Sequence, residues 1–388
     1  MSQQRHIAVL TGKRGGYGAM KPMLREIEPR EDMRLSLIVT DQHVNERFGA
    51  TVAEVEKEFH VAASVDMEQA DGSSLARARA LGVCLNRMSD VLAELRPDIL
   101  VLYGDRGEVL ATALAAVTLR IPIAHLQGGE ISGNADELMR HAITKLAHLH
   151  FPSTETCATR IRAMGEEPWR VLAVGDNHVD PIVAGDYSSP EIVRERYRIP
   201  AGERPLIVLL HPETIRTRDG YADMRAVLDA VLAERRRTLA IYPCSDHGYE
   251  EIVRAIEDSA ETPGMSVHRN IDAEDFRGIM AISGAIVGNS SAGLIETPYF
   301  HLPAINVGER QLSRDHAENV IHCSYDPNAL RAALDKALRD PAFGRVVVHC
   351  RQPFGDGCAY RRIVDRLAEV ELGPRLLDKR FVDRPRGN

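Results

Sequence analysis

The stretch that decides the fold is "IPIAHLQGGEISGNADELMRHAITKLAHLHF", residues 121–151. It begins as an apolar run, turns at Gly128 and Gly129, and continues as a helical segment dense with acids, histidines and a lysine. An apolar run that does not alternate with polar residues is typical of a strand buried on both faces, hence of a parallel sheet covered by helices. The stretch therefore predicts a strand followed by a helix, as in α/β proteins.

The same pattern recurs along the chain in two series. The first series has apolar runs at 6–12, 34–40, 98–105 and 121–129, and a weaker run at 169–180 is expected to be the last strand of this half. The second series has runs at 204–214, 238–246, 265–270, 284–293 and 302–308, separated by helical patterns such as 221–236 and 249–258. We therefore expect two doubly wound, Rossmann-like domains, with ligands in an interdomain cleft at the strand ends.

The expected domain boundary lies in the polar segment 187–205, which holds three prolines. A chain of 388 residues exceeds the size at which one core usually stops growing, which also favours two domains. We expect an N-terminal domain at 1–186, a C-terminal domain at 187–371 and a charged tail at 372–388. A final helix, at about 357–371, is a candidate for packing back on the first half.

Composition excludes several classes of protein. A net charge of -8 argues against a general nucleic-acid binder, and an aromatic content of 5% disfavours a base-stacking surface. Six scattered cysteines without a CxxC pair suit reduced thiols, and no stretch reaches the ~18 apolar residues of a membrane span. No HExxH or similar ligand spacing predicts a metal. We expect a cytoplasmic protein with no metal, cofactor, nucleic acid or membrane as partner.

Two motifs of the first half follow predicted strands. The glycine-rich "TGKRGGYG" (11–18) and its Arg14 suit a phosphate, although its spacing is neither GxGxxG nor a P-loop and a purely structural turn stays open. "YGDRGE" (103–108) places Asp105 and Arg106 where a buried strand ends, and Asp105 could equally cap the next helix.

Two motifs of the second half have similar positions. "HPET" (211–214) places His211 at the end of a strand, where a lone histidine is more often packed than catalytic. In "GNSSAGLIE" (288–296), Ser290 and Ser291 open a helix and suit an anion, while Glu296 suits vicinal hydroxyls. The alternative is an N-cap with a favourable acid in the first turns. Each motif is weak alone, but together they favour one site at the strand ends.

In the opening stretch, the glycine turn lets Glu130 approach the expected cleft. One side of the following helix carries Asp136, Arg140 and Lys145, with Glu137 and His141 adjacent. A surface helix laced with i,i+4 ion pairs would look similar, so that alternative stays open.

These motifs, in this order, resemble the hydrolysing UDP-N-acetylglucosamine 2-epimerases, which serve bacterial sialic acid synthesis and form half of a bifunctional animal enzyme. The resemblance covers about residues 6–371 and includes "INVGERQLSRDHAENVI" (305–321). It implies two domains of the GT-B type and the reaction of UDP-GlcNAc with water to give ManNAc and UDP. It also implies a homodimer or homotetramer.

The resemblance implies roles for individual residues. The carboxylates of Asp105, Glu130 and Asp136 would transfer protons and add water, and His211 would lie at the diphosphate and sugar. The implied binding residues are Arg14, Ser290, Ser291 and Arg310 for the diphosphate, Glu296 for the ribose hydroxyls, and Arg106 and His43 beside the substrate.

Three positions depart from the family pattern. Gly16 replaces a usual acid, Gln127 a usual glutamate or histidine, and Cys244 a usual asparagine. These departures keep open a related substrate, a UDP-2,4-diacetamido sugar of the legionaminic acid pathway. The sequence also leaves open a non-hydrolysing 2-epimerase, a retaining glycosyltransferase and a nucleotide-sugar-binding protein without catalysis.

Overall fold

The computed structural model describes residues 4–46, 50–71, 73–132, 135–213, 218–244 and 248–383. Some residues discussed above lie outside these ranges, namely Gly133, Asn134, Thr214 and the end of the tail at 384–388. The chain divides into two compact units. The first comprises the residues up to Glu130, Asp136–Asp180 and the chain from Phe354 onward, and the second comprises Ile131–Ala135 and Pro181–Pro353.

In the described ranges, the first unit is built on a six-stranded parallel sheet. Its strands are β1 (Arg5–Thr11), β2 (Met33–Thr40), β3 (Val61–Val65), β4 (Ile99–Tyr103), β5 (Ile123–Leu126) and β6 (Leu149–Phe151). Its helices up to this point are α1 (Arg14–Ile27), α2 (Val52–Glu56), α3 (Ser74–Leu95), α4 (Gly107–Thr118), α5 (Ala135–Leu146) and α6 (Glu155–Ala163). The strand order β3-β2-β1-β4-β5-β6 reverses between β1 and β4, as in a Rossmann fold.

The second unit repeats this plan within the described residues. Its strands are β7 (Leu206–Leu209), β8 (Thr238–Ile241), β9 (Met265–His268), β10 (Ala285–Gly288), β11 (Ala304–Val307) and β12 (Val320–Cys323), all parallel. The helices along this part of the chain are α7 (Asp180–Val183), α8 (Pro190–Arg196), α9 (Gly220–Leu232), α10 (Tyr249–Glu257), α11 (Ala273–Ile282), α12 (Ala292–Ile295), α13 (Pro327–Arg339) and α14 (Pro341–His349). The order β12-β11-β10-β7-β8-β9 reverses between β7 and β10.

Helices cover both faces of each sheet because neighbouring strand residues point to opposite sides. In β1, Ile7 and Val9 join one core cluster, whereas Ala8 and Leu10 join the other. Helix α3 buries Ala80, Cys84, Met88 and Leu92, spaced four residues apart on one stripe. Complete burial of a side chain the size of Met or Leu contributes roughly 1.5–3 kcal/mol.

The C-terminal segment belongs to the first unit. It forms α15 (Ala359–Glu369) and α16 (Pro374–Leu377). The apolar stripe of α15, which includes Ile363 and Leu367, packs in the same cluster as Met20 and Leu24 of α1. The second unit therefore ends at Pro353, short of the expected 371, because α15 finds its apolar partner on α1.

Three local expectations differ from the structure. The run 169–180 is no regular strand, since Val171 forms only an isolated bridge with His150 of β6. The glycine-rich segment 11–18 is mostly helix, because α1 already begins at Arg14. The expected linker 187–205 contains α8 and lies in the second unit. No helix within the described ranges has both the length and the apolar composition needed to cross a lipid bilayer.

Candidate active site

In a doubly wound sheet, ligands bind outside the carboxyl ends of the strands at the point where the strand order reverses. In the first unit this point lies between β1 and β4, where the chain continues as Gly12 and as Gly104–Asp105. Gly104 has φ +80, a conformation that favours glycine, and it turns the chain directly out of β4. A Cβ at Gly12 would lie 2.7 Å from Glu108 Oε1, so the end of β1 lies close to the first turn of α4.

Arg140 of α5 joins two of the predicted acids. Its guanidinium forms an ion pair with Asp105, and its Nη1 donates to the main-chain oxygen of Glu130 at 3.0 Å. The side chain of Arg140 is 6% exposed and that of Asp105 is 19% exposed, so water screens the pair only weakly. Arg140 therefore holds the carboxylate after β4 beside the turn after β5.

Glu130 and Asp136, the two candidate acids of the opening stretch, lie on either side of the start of α5 in the sequence. Glu130 is 5% exposed and ends the turn that Gly129 makes possible. Gly129 has φ +79, and a Cβ there would lie 2.6 Å from the oxygen of Cys157, so another residue would not fit. Asp136 lies in the first turn of α5, four residues before Arg140, where the helix dipole favours a negative charge.

A buried network of four charges supports this edge of the sheet. Arg77 donates to Asp41 at 2.7 Å and to Glu108 at 2.6 Å, and Arg106 contacts the same two acids at 3.2 Å. Asp41 and Glu108 are 4% and 1% exposed, so the two arginines supply hydrogen bonds that water would otherwise make to their carboxylates. The predicted residue Arg106 therefore lies in this network, with about a fifth of its side chain exposed.

Sequence reasoning missed Arg77 and Asp41. Asp41 directly follows β2, and Asp105 follows β4 after one intervening residue. The search for polar residues at strand ends, which found Asp105, could therefore also have found Asp41. Arg77 lies within the long helix α3 and has no local signal.

His43 and Arg14, two predicted binding residues, have their described contacts with other residues of the first unit. His43 is fully buried, with Nε2 3.0 Å from Thr11 Oγ1 and Nδ1 2.7 Å from Thr51 Oγ1. Burial lowers the pKa of His43 to about 4, so the ring is neutral at physiological pH. Arg14 is partly exposed and forms an ion pair with Glu54 of α2. Contacts of these two residues with a substrate stay predictions.

In the second unit, His211 and Asn289 connect the ends of β7 and β10. The His211 main-chain N donates to Asn289 Oδ1 at 2.6 Å, and Asn289 Nδ2 donates to the His211 oxygen at 2.9 Å. Cys244 N donates to His211 Nδ1 at 3.1 Å, so the neutral ring carries its hydrogen on Nε2. The main-chain N of Cys244 thus orients the imidazole, while the Asn289 side chain fixes the main chain of His211.

The serine turn after β10 lies against the same asparagine. Ser290 Oγ accepts a hydrogen bond from Ala292 N at 3.4 Å. Arg310 Nη1 donates to the main-chain oxygen of Asn289 at 3.2 Å. The predicted residues Ser290, Ser291 and Arg310 are therefore grouped around Asn289. Glu296 was expected within the first turns of a helix, but α12 is only four residues long and Glu296 is its C-cap. The residue is 8% exposed.

The loop after β7 is also fastened to the loop after β11. Glu213 of the "HPET" motif accepts from Glu309 N at 2.9 Å and from the Tyr325 hydroxyl at 3.2 Å. Gly308 has φ +81, and a Cβ there would lie 2.1 Å from Glu213 Oε1. Sequence reasoning missed this contact, which holds the chain beside Arg310 in place.

The amino-acid sequence matches a known family. Residues 25–368 match the family model described as UDP-N-acetylglucosamine 2-epimerase. The chain belongs to this family. Both expectations from the sequence, the family and the fold of two Rossmann-like domains of the GT-B type, are confirmed.

Two relatives are similar over nearly their whole length. The chain is 32% identical over 376 residues to the UDP-N,N'-diacetylbacillosamine 2-epimerase (hydrolyzing) of Legionella pneumophila, covering 97% of this chain and 98% of that protein. It is 30% identical over 384 residues to the UDP-N-acetylglucosamine 2-epimerase of Neisseria meningitidis serogroup B, covering 98% and 99%. The solved UDP-GlcNAc 2-epimerase of Methanocaldococcus jannaschii, in complex with UDP-GlcNAc and UDP, has a TM-score of 0.79 at 18% identity and covers 93% of this chain and 99% of that one.

Proposed function

We propose that this protein is a hydrolysing 2-epimerase of a UDP-linked 2-acetamido sugar, with UDP-GlcNAc as the first candidate substrate. The overall reaction takes UDP-GlcNAc and water to ManNAc and UDP. The observation that carries the proposal is the group of Asp105, Arg140 and Glu130 at the carboxyl ends of β4 and β5. The hydrolysing reaction is supported by the Legionella relative, whose name states that reaction.

The reaction needs groups that stabilise the departing UDP and groups that transfer protons. The bond between C1 and the UDP oxygen must break, and its electron pair leaves with UDP. The C2 proton must go to a base, which leaves a double bond between C1 and C2. Water then adds its oxygen to C1 while a proton returns to C2 on the opposite face. General acid and base groups typically supply ~10²- to 10⁴-fold each, so more than one is expected.

The first unit suits the proton transfers. Asp105, Glu130 and Asp136 are the carboxylates that we propose for proton transfer and for activating water. Arg140 orients Asp105, and orientation of this kind is what lets a general base act without reorganisation.

The second unit suits the departing UDP. A diphosphate prefers guanidinium, hydroxyl and main-chain donors, which Arg310, Ser290 and Ser291 supply around Asn289. His211, with hydrogen on Nε2, can donate to the oxygen that leaves C1. We propose Glu296 for the ribose hydroxyls and Arg14 and Arg106 for further contacts with the substrate. A homodimer or homotetramer stays a prediction.

The second candidate substrate is UDP-N,N'-diacetylbacillosamine. It is favoured by the 32% identity to the Legionella enzyme that carries its name. The reaction would be the same, because the acetamido group at C2 and the UDP at C1 are shared.

A product assay with both UDP-sugars, followed by NMR, tests the proposal. We expect UDP together with the free 2-epimer of one sugar, ManNAc if UDP-GlcNAc is the substrate. Turnover of the diacetamido sugar alone would assign the second substrate. Formation of the UDP-linked 2-epimer without free sugar would contradict hydrolysis and identify a non-hydrolysing epimerase.

A further inference from the structure

An aspartate–histidine pair in the first unit lies outside the residues considered so far. His178 Nδ1 lies 2.8 Å from Asp176 Oδ1, and the His178 main-chain N donates to the same oxygen at 2.9 Å. Asp176 is buried, whereas the His178 side chain is 29% exposed. A buried carboxylate thus lies behind a partly exposed imidazole.

Asp176 is fixed from both sides. Its Oδ2 accepts from Gln127 Nε2 at 2.9 Å and from Ser153 Oγ at 2.8 Å. Burial by itself raises the pKa of Asp176, but hydrogen bonds from His178 and Ser153 outweigh it and hold that pKa below its usual value. The carboxylate is therefore ionised at neutral pH and cannot rotate without losing partners.

An ionised carboxylate can only accept hydrogen bonds. His178 Nδ1 therefore carries a hydrogen, and the basic lone pair of the neutral ring is on Nε2. A carboxylate that holds Nδ1–H in this way orients the ring and stabilises the imidazolium that forms when Nε2 takes a proton. The pair has the chemistry of a general base.

The pair lies at the same edge of the sheet as the candidate acids. The hydroxyl of Tyr103, the last residue of β4, lies 3.4 Å from His178 Nδ1, and Asp105 follows two residues later. Gln127 directly follows β5, the neighbour of β4, and precedes Glu130 by three residues. Gln127 cannot accept a proton at neutral pH, and its amide instead serves to fix Asp176.

We propose that His178 is the base that removes the C2 proton of the substrate, with Asp176 as its positioning residue. In this step the C2–H bond breaks and the proton moves to Nε2. The released electron pair forms the double bond between C1 and C2, and the electrons of the C1–O bond leave with UDP. Asp105 and Glu130 then serve the later addition of water and of a proton. The proposal rests on the proposed function.

Chemical rescue of a His178→Ala variant tests the proposal. We expect kcat to fall by ~10²-fold or more, with KM changed by less than about threefold, because the base is lost and binding groups remain. Added imidazole should restore part of kcat, in proportion to the concentration of its neutral form. The matched control is His60→Ala, which removes an exposed histidine and should leave kcat unchanged.

The pH dependence gives a second readout that a structural role would not move. Protonated His178 cannot accept the C2 proton, so kcat/KM of the natural protein should fall on the acidic side. The described contacts place Asp176 and Tyr103 as the ionisable groups at the ring, and Asp176 is already ionised. The acidic limb should disappear in His178→Ala. The larger variant His178→Gln provides the same test if alanine impairs folding.

Two results would overturn the proposal while leaving the proposed function intact. One is a folded His178→Ala protein with kcat within about threefold of the natural protein. The other is a loss of kcat that imidazole does not restore, with an unchanged pH profile. Failure of the natural protein to turn over either UDP-sugar would instead contradict the proposed function itself.

Discussion

The two units have the same strand order but different chemistry at their strand ends. The first unit places acids and arginines there, with Asp105 held by Arg140 and a buried network around Glu108. The second unit places a histidine, an asparagine, two serines and Arg310 at the matching position. We infer that the same fold serves two different chemical roles in the two units. Ionisable acids suit proton transfer, whereas neutral donors beside one guanidinium suit a diphosphate.

The largest expected effect comes from Asp105→Asn in the first unit. Turnover should fall by ~10²- to 10⁴-fold, because the amide cannot exchange a proton, while the affinity for UDP changes by less than about threefold. Steady-state kinetics and calorimetric titration with UDP measure the two quantities. Asp90→Asn, an exposed acid on α3, is the control. A loss of UDP affinity as large as the loss of turnover would contradict the proposal that the first unit transfers protons while the second binds UDP.

The second prediction concerns the close approach of β7 and β10. Gly288 has φ +148, and a Cβ there would lie 2.0 Å from the Leu209 oxygen, so Gly288→Ala should destabilise the second unit by at least ~2 kcal/mol. Denaturant unfolding measures the loss. Gly344→Ala, in the open helix α14, is the matched control and should be neutral or stabilise by up to ~1 kcal/mol. Equal effects would show that the strand ends are not tightly joined.

The third prediction concerns the second unit, where a substitution should affect UDP affinity more than turnover. Arg310→Gln in the second unit should weaken UDP binding by ~10-fold, because one charge-assisted hydrogen-bond donor is lost. The kcat at saturating substrate should fall much less than in Asp105→Asn. Arg331→Gln, an exposed arginine of α13, controls for net charge. Unchanged UDP affinity would contradict the role proposed for the second unit.

The last prediction concerns acid stability, where the effect of each group per pH unit is small. Burial lowers the pKa of His43 and His148 to about 4 and that of His125 to about 3, all in the first unit. Because these folded-state pKa values lie below the unfolded value of 6.5, their contribution is fully present above pH 6.5 and is lost as pH falls toward 4. Each group adds a slope of at most ~1.4 kcal/mol per pH unit.

Hydrogen exchange between pH 7 and pH 4 measures this difference. The first unit should lose protection in this interval, and His43→Gln should lessen the loss. A protection that does not change with pH in the first unit would show that the buried rings do not govern its acid stability.

The fold was largely predictable from the sequence because strands buried on both faces leave continuous apolar runs, such as 98–105. The edge strands β3, β6 and β12 escaped prediction, because each has only three to five residues and leaves a brief apolar run. Motifs at strand ends gave Asp105, His211 and Ser290 as candidate site residues. Asp176 and Arg77 could not be found in this way, because they acquire partners far along the chain only after folding.

The most direct test of the central claim is NMR of the product formed in D₂O. If groups of the first unit exchange the C2 proton as UDP leaves, the free 2-epimer carries one deuterium at C2 and UDP is released in equal amount. Free sugar with hydrogen retained at C2, or with the configuration at C2 unchanged, would contradict the account.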